Sequence, residues 1–178
     1  MKKTISLILT VTLLLAFAVF ALGSGDSEDT KVEKNTQTQE DGSSENENAN
    51  GRTEIRVGET LNVNELKITY DSVEKWTSDN QFIQPAEGKQ FIRLHFSIAN
   101  NTNSDQYIGS YDFECYADGE KCELSYMGDD TLSFDSISSG RKISGYVYFE
   151  VPVDASEIEV EYETSIWSNK KAYFIVEL

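Results

Sequence analysis

Two cysteines, one histidine and an excess of carboxylates are the groups with chemistry to offer in this 178-residue chain. The cysteines fall in FECYADGEKCEL, residues 113–124. Asp118-Gly119 is a hairpin signal, because a type I′ turn needs positive φ at both central positions. Counting outward pairs Ala117 with Glu120, Tyr116 with Lys121 and Cys115 with Cys122. Opposed residues in such a ladder have Cα atoms about 5.5 Å apart, within disulfide reach. We therefore expect a Cys115–Cys122 bond, worth roughly 2–3 kcal/mol by the chain-entropy model. Two buried free thiols are the plain alternative, and a redox-active pair finds only Lys121 as a cationic neighbour.

His95 falls at an outward strand position, where a histidine is a surface residue rather than a base or ligand. Zinc would need further His or Cys at suitable spacing. No GxSxG, HExxH, Walker or GxGxxG pattern occurs. The reading is a non-enzyme with no catalytic residue and no cofactor. Gly128-Asp129-Asp130 with Asp135 offers oxygens of the kind calcium takes, at a spacing that matches no known calcium loop. Glu157, Glu159, Glu161 and Glu163 share one side of a strand, as in a solvated face or a guarded edge. Glycosidase chemistry would need two carboxyls facing each other across a cleft. Tyr146 and Tyr148 alternate outward, and Tyr116 points outward on the hairpin. Such a platform stacks on sugar rings or anchors a protein partner, although tyrosine is also simply a good strand former.

The elements that must position these groups are strands. In SSGRKISGYVYFEVPVDASEIEVEY, residues 138–162, Ile143, Gly145, Val147, Phe149 and Val151 alternate with Ser144, Tyr146, Tyr148 and Glu150. Period two with β-branched and aromatic residues marks a half-buried strand, which Pro152 ends. Ile158, Val160 and Tyr162 repeat the pattern. Ile92, Leu94, Phe96 and Ile98 make the clearest central strand. In LKITYDSVEKW the apolar phase jumps from Tyr70 to Val73, which predicts a β-bulge or break near Asp71-Ser72. Glu54 to Val63 reads as two extended pieces about a turn at Gly58-Glu59, and 77–89 as a loop. Ser125 to Arg141 is a polar connector anchored by Leu132, Phe134 and Ile137. The closing strand places Phe174, Val176 and Leu178 inward. Strands with one wet face each predict two packed antiparallel sheets, an all-β sandwich of seven to eight strands.

Ahead of this domain, Lys2 and Lys3 precede an apolar run from Ile5 to Leu22. Residues 1–23 read as an apolar helix, either a cleaved signal peptide or a signal anchor. Residues 24–52 are polar and acidic, with Val32 the only sizeable apolar side chain, and read as a disordered linker. Residues 53–178 form the folded domain. The formal net charge of -16 argues against nucleic acid and against anionic membrane surfaces. Membrane contact is expected only through the N-terminal segment.

Taken in order, VGETLNVNELKITYDSVEKW, PAEGKQFIRLHFSIANNT, YDFECYADGEKC and SSGRKISGYVYFEVPVDASEIEVEY resemble a known family. It is the bacterial secreted and lipoprotein domain-of-unknown-function family of the immunoprotective extracellular, immunoglobulin-like superfamily. The resemblance covers Ile55 to Leu178 and is most specific from Gly140 to Val153. It implies an immunoglobulin-like sandwich on the cell surface or in the medium, with no agreed activity and no catalytic residues to carry over. Many members carry a lipobox cysteine; here Gly25 stands at that place. The functional expectation is an extracellular binding module for an unknown cell-envelope or protein partner. The alternative is a carbohydrate or peptidoglycan binder using Tyr116, Tyr146 and Tyr148.

Overall fold

The structure, a computed structural model, describes residues 32–36, 51–125, 130–165 and 170–178. The expected leader helix at 1–23 lies outside them, as does most of the expected linker. Among the described residues no helix is long and apolar enough to cross a membrane. In chain order the strands are β1 (Val32–Thr36), β2 (Thr53–Ile55), β3 (Glu59–Val63), β4 (Leu66–Trp76), β5 (Lys89–Asn100), β6 (Gln106–Ile108), β7 (Phe113–Ala117), β8 (Glu120–Lys121), β9 (Glu123–Ser125), β10 (Asp135–Ile137), β11 (Lys142–Pro152), β12 (Ile158–Ser165) and β13 (Lys170–Ile175).

These strands build one sheet, A, in the order β1-β3-β4-β5-β11-β9, and a second, B, in the order β2-β13-β12-β7-β8. Strands β6 and β10 make a separate ribbon. β2 joins β13 in parallel, and the neighbours that set the centre of each sheet are antiparallel. The all-β class therefore holds, with more strands than the seven to eight expected. The additional ones are short. β10 lies in the stretch read as a connector, β6 lies between the strands read at 91–100 and 113–117, and β1 lies within the stretch read as a linker. β1 adds to the open edge of β3, pairing Val32 with Val63 through Thr36 with Glu59. Edge pairing uses backbone groups, so it needs no apolar pattern to announce it.

Alternation in the long strands becomes burial. Ile92, Leu94, Phe96 and Ile98 of β5 face in with Val147, Phe149 and Val151 of β11 and Leu66, Ile68 and Tyr70 of β4. Sheet B answers with Ile55, Phe113, Cys115, Val160, Ala172 and Phe174. Phe96 is the hub between the layers, with ring centroids 4.5 Å from Phe113, 5.0 Å from Phe174 and 5.5 Å from Tyr70. Each such side chain removed from water contributes about 1.5–3 kcal/mol, which is why these residues set the register.

Two expected anchors do not hold. Phe134 is 62% exposed and Leu178 is 53% exposed, while Leu132 and Ile137 are buried. Phe134 lies just ahead of β10 and stacks on exposed Tyr107 of β6 at 6.0 Å. Leu178 follows the last residue of β13, beyond the pairing that would hold it inward.

Candidate functional site

The bulge expected in β4 is present and does more than restore a phase. Tyr70 pairs with Phe96 and Ser72 with His95, so Asp71 is the extra residue. It projects onto the outer face of sheet A, where His95 Nδ1 lies 2.8 Å from its Oδ2. The Nδ1–H tautomer donates there. Ser97 Oγ donates to the same oxygen at 2.7 Å. A serine, a histidine and an aspartate thus meet, with the serine proton directed at the carboxylate rather than at the imidazole. An acyl-transfer triad needs the opposite arrangement, with the imidazole taking the serine proton.

Next to this trio the outer face is built on Arg93. Cross-strand register puts Glu74 on one side of it and Tyr148 on the other. Arg93 Nε donates to Glu74 at 2.7 Å, and Nη1 donates to Asp130 Oδ2 and to Tyr148 Oη, each at 3.3 Å. Its guanidinium carbon stands 4.1 Å over the Tyr146 ring, a cation–π contact. His95 meets that ring edge-on, with centroids 4.7 Å apart. Tyr148 Oη donates to Asp130 Oδ1 at 2.7 Å, and Trp76 packs edge-on against the Tyr148 ring at 5.3 Å.

A short crossing segment brings Asp130 here. Tyr146 N donates to Asp130 O at 2.8 Å, and Leu132 N donates to Tyr146 O at 2.7 Å. Gly145 makes this approach possible: a Cβ on it would sit 2.9 Å from Leu132 Cα. Asp130 is therefore committed to Arg93 and Tyr148. Asp135 accepts from Ser136 N at 2.8 Å. The two described carboxylates of the calcium lead, Asp130 and Asp135, serve different partners, and Asp129 lies outside the described residues. Among the described residues no cluster of His, Cys, Asp or Glu is arranged to hold a metal.

The three-tyrosine platform does not form. Tyr148 points outward as expected but is 1% exposed, covered by Trp76, Arg93 and Asp130. Burial and the Asp130 hydrogen bond push its hydroxyl up to about 12, with Arg93 opposing. Tyr116 belongs to β7, on the outer face of the other sheet, where its hydroxyl donates to Glu114 at 3.1 Å. Among the described residues, Tyr146 and Trp76 are the tyrosine and tryptophan left half-exposed on the outer face of sheet A. Sequence reasoning treated His95 as a lone surface residue and missed Asp71. The phase jump in LKITYDSVEKW was the available signal, since a bulged residue must leave the regular face.

Sheet B's outer face is a charge ladder. β12 lies in its middle, so the glutamate row is a face rather than an edge. Arg52 bonds Glu159, Lys171 bonds Glu161, and Lys121 donates to Glu114 at 2.6 Å. Glu114 is held below the usual carboxylate range, chiefly by that Lys121 hydrogen bond.

The hairpin forms as read. Asp118 has φ 50° and Gly119 φ 84°, and Tyr116 pairs with Lys121 and Ala117 with Glu120. Cys122 N donates to Cys115 O at 2.8 Å. Both cysteines are nevertheless free thiols, Cys115 buried and Cys122 half-buried. β8 ends at Lys121, and the chain then crosses to β9 in sheet A. Cys122 sits at that departure, so hairpin register does not dictate where its side chain points.

Two face-to-face sheets with wet outer faces define a β-sandwich protein. Residues 55–172 match the family described as domain of unknown function DUF4352, and the chain belongs to it. No curated protein sequence matches the chain. The fold is similar to that of the yjhA protein of Bacillus subtilis, with TM-score 0.55 and 11% identity over 68% of this chain and 98% of that one. It is also similar to the ycdA protein of Bacillus subtilis, a candidate lipoprotein, with TM-score 0.54 and 14% identity over 63% of this chain. This chain spans 36% of that protein's length. MPT63, a secreted protein of Mycobacterium tuberculosis, is similar at TM-score 0.46 and 15% identity over 66% of this chain and 84% of that one.

Proposed function

We propose that this chain is an exported, non-enzymatic binding domain, released or held at the outer cell surface. In this reading its contact surface is the outer face of sheet A around Arg93, His95, Tyr146 and Trp76. One observation carries it: the bulge and the 130–132 crossing bring charges and half-exposed rings from three strands and a loop into one pre-ordered patch. Ordering side chains before contact lowers the entropic cost of binding. Enrichment in Arg, Tyr and Trp is typical of residues that dominate interfaces. The basic, apolar start of the chain supports export, as does the candidate-lipoprotein description of the ycdA protein. The direction of the Ser97 proton supports a binding rather than a hydrolytic role.

Membrane, wall and supernatant fractions tested with an antibody to the domain check the location; a cytoplasmic pool alone would reject export. For binding, the chain is retained on purified envelope extract, and Tyr146→Ala with Arg93→Ala lowers retention about tenfold or more. Tyr116→Ala, on the far face, leaves it unchanged. Equal loss from both faces would reject this surface.

A carbohydrate ligand is the second reading, favoured by Tyr146, whose ring meets His95, the partner of Asp71, and by Trp76 packed on Tyr148. Half-exposed rings stack on sugars while carboxylates accept from hydroxyls. Retention on protease-stripped wall polysaccharide selects this reading, and its loss on protease treatment selects a protein partner.

A further inference from the structure

We infer that Cys115 and Cys122 form a dithiol exchange site, in which Cys122 attacks disulfides of the low-molecular-weight thiol class and Cys115 resolves the mixed disulfide. The geometry is asymmetric in the way such chemistry needs. Cys115 is at the centre of β7, facing the core and fully enclosed. Cys122 is half-buried at the point where the chain leaves sheet B, the outer edge strand β8 just behind it. An incoming disulfide reaches Cys122 and not Cys115.

The turn between them is rigidly held. Asp118 N donates to Glu157 O at 2.9 Å, and the Asp118 carboxylate accepts from Ser156 N at 3.1 Å and from Glu157 N at 2.9 Å. The Cys122-to-Cys115 backbone bond fixes the other end. Backbone pairing sets the two cysteines side by side, and Cys122 Sγ also donates to the Glu120 carbonyl oxygen at 3.8 Å. The Cys115 hydrogen bond holds the Cys122 thiol below its usual range, with Lys89 assisting and burial opposing. The same contact and its own burial push Cys115 up. A thiolate attacks while a thiol does not, so Cys122 is the sulfur that reacts first.

The steps balance. Cys122 thiolate attacks one sulfur of R–S–S–R, forming the Cys122–S–S–R bond and expelling R–S⁻. Cys115 gives up its proton to that thiolate. Its sulfur then attacks Cys122 Sγ, forming the Cys115–Cys122 bond and expelling the second R–S⁻. Two protein thiols are oxidised and one external disulfide is reduced to two thiols. The patch around Arg93, His95, Tyr146 and Trp76 takes no part in these steps, so this inference and the binding reading stand or fall separately.

The test uses the full reduced chain with oxidised glutathione as probe, an acid quench, alkylation and intact-mass measurement. The wild type is expected to lose two hydrogens and both alkylatable thiols. Cys115→Ala stops as a stable glutathione adduct that peptide mapping assigns to Cys122. That adduct forms about tenfold or more faster than on the same variant in denaturant. Cys122→Ala takes up no adduct while folded, as native circular dichroism verifies. Alkylation of Cys122 in Cys115→Ser, where a hydroxyl replaces the donor, keeps a half-maximum below that of an ordinary cysteine. The inference is overturned if the wild type keeps both thiols after equilibration with the probe. Equal reactivity of Cys115 in folded Cys122→Ala, or no acceleration over the denatured variant, would overturn it as well.

Discussion

Tyr148 and Tyr70 show how one residue type takes opposite roles on the two faces of a sheet. Tyr148 is enclosed on the wet face with its hydroxyl fully employed between Asp130 and Arg93. Tyr70 is enclosed in the core, and its hydroxyl has no partner among the described residues. A buried hydroxyl left unpaired costs the free energy of desolvating it. Tyr70→Phe is therefore expected to raise unfolding stability by about 1 kcal/mol, read by urea denaturation. Tyr148→Phe should lower it by a similar amount, about 1 kcal/mol, because its partners stay behind. Tyr148 also ties stability to alkaline pH. An unfolded tyrosine titrates near ~10, and the folded Tyr148 at about 12. Its stabilising contribution is complete below the unfolded value and is lost as pH rises through the folded one. Tyr70 and Tyr162, also pushed up by burial, share that alkaline loss. Tyr148→Phe should make the decline shallower without abolishing it, measured as melting temperature against pH.

At the scale of elements, the β4 bulge and the 130–132 crossing convert a plain sheet face into a patch. Removing Asp71 would leave Tyr70 opposite Phe96 and Ser72 opposite His95 in an unbroken ladder. The deletion variant is therefore expected to fold with native circular dichroism while His95 and Ser97 lose their shared acceptor. Loss of the hydrogen-bonded imidazole proton in the NMR spectrum checks this, and an unfolded variant would contradict it. Gly145→Ala attacks the crossing instead. Its Cβ would press on Leu132 backbone, which has no flexible end to yield. We expect a loss of about 1–3 kcal/mol, with amide protection falling first at Leu132 and Tyr146.

Over the whole molecule, the two sheets commit their outer faces to different chemistry. Sheet A carries rings, Arg93 and the histidine trio, and sheet B carries paired acids and bases. Among the described residues, β1 is the edge strand of sheet A, held on β3 alone. A chain beginning at Gly51 should keep its core and melt within about 1 kcal/mol of the full chain, given that edge pairing buries little apolar surface. Hydrogen exchange should quicken only in Glu59–Val63. Wider loss of protection would give β1 a larger share of stability than its position implies.

Much of this was legible beforehand because it is local. Period-two apolar runs declared the long strands, the phase jump at Asp71 declared the bulge, and Asp118-Gly119 declared the hairpin. Those features follow from backbone geometry within a few residues. What the tertiary structure alone decided concerns which strand lies beside which. That order placed Tyr116 and Tyr146 on opposite sides of the sandwich and laid Trp76 and Asp130 over Tyr148. It drew Cys122 away from its ladder and brought Asp71 to His95 across 24 residues of chain. Alternation says only whether a side chain leaves the core; what covers it afterwards depends on contacts between segments far apart in sequence.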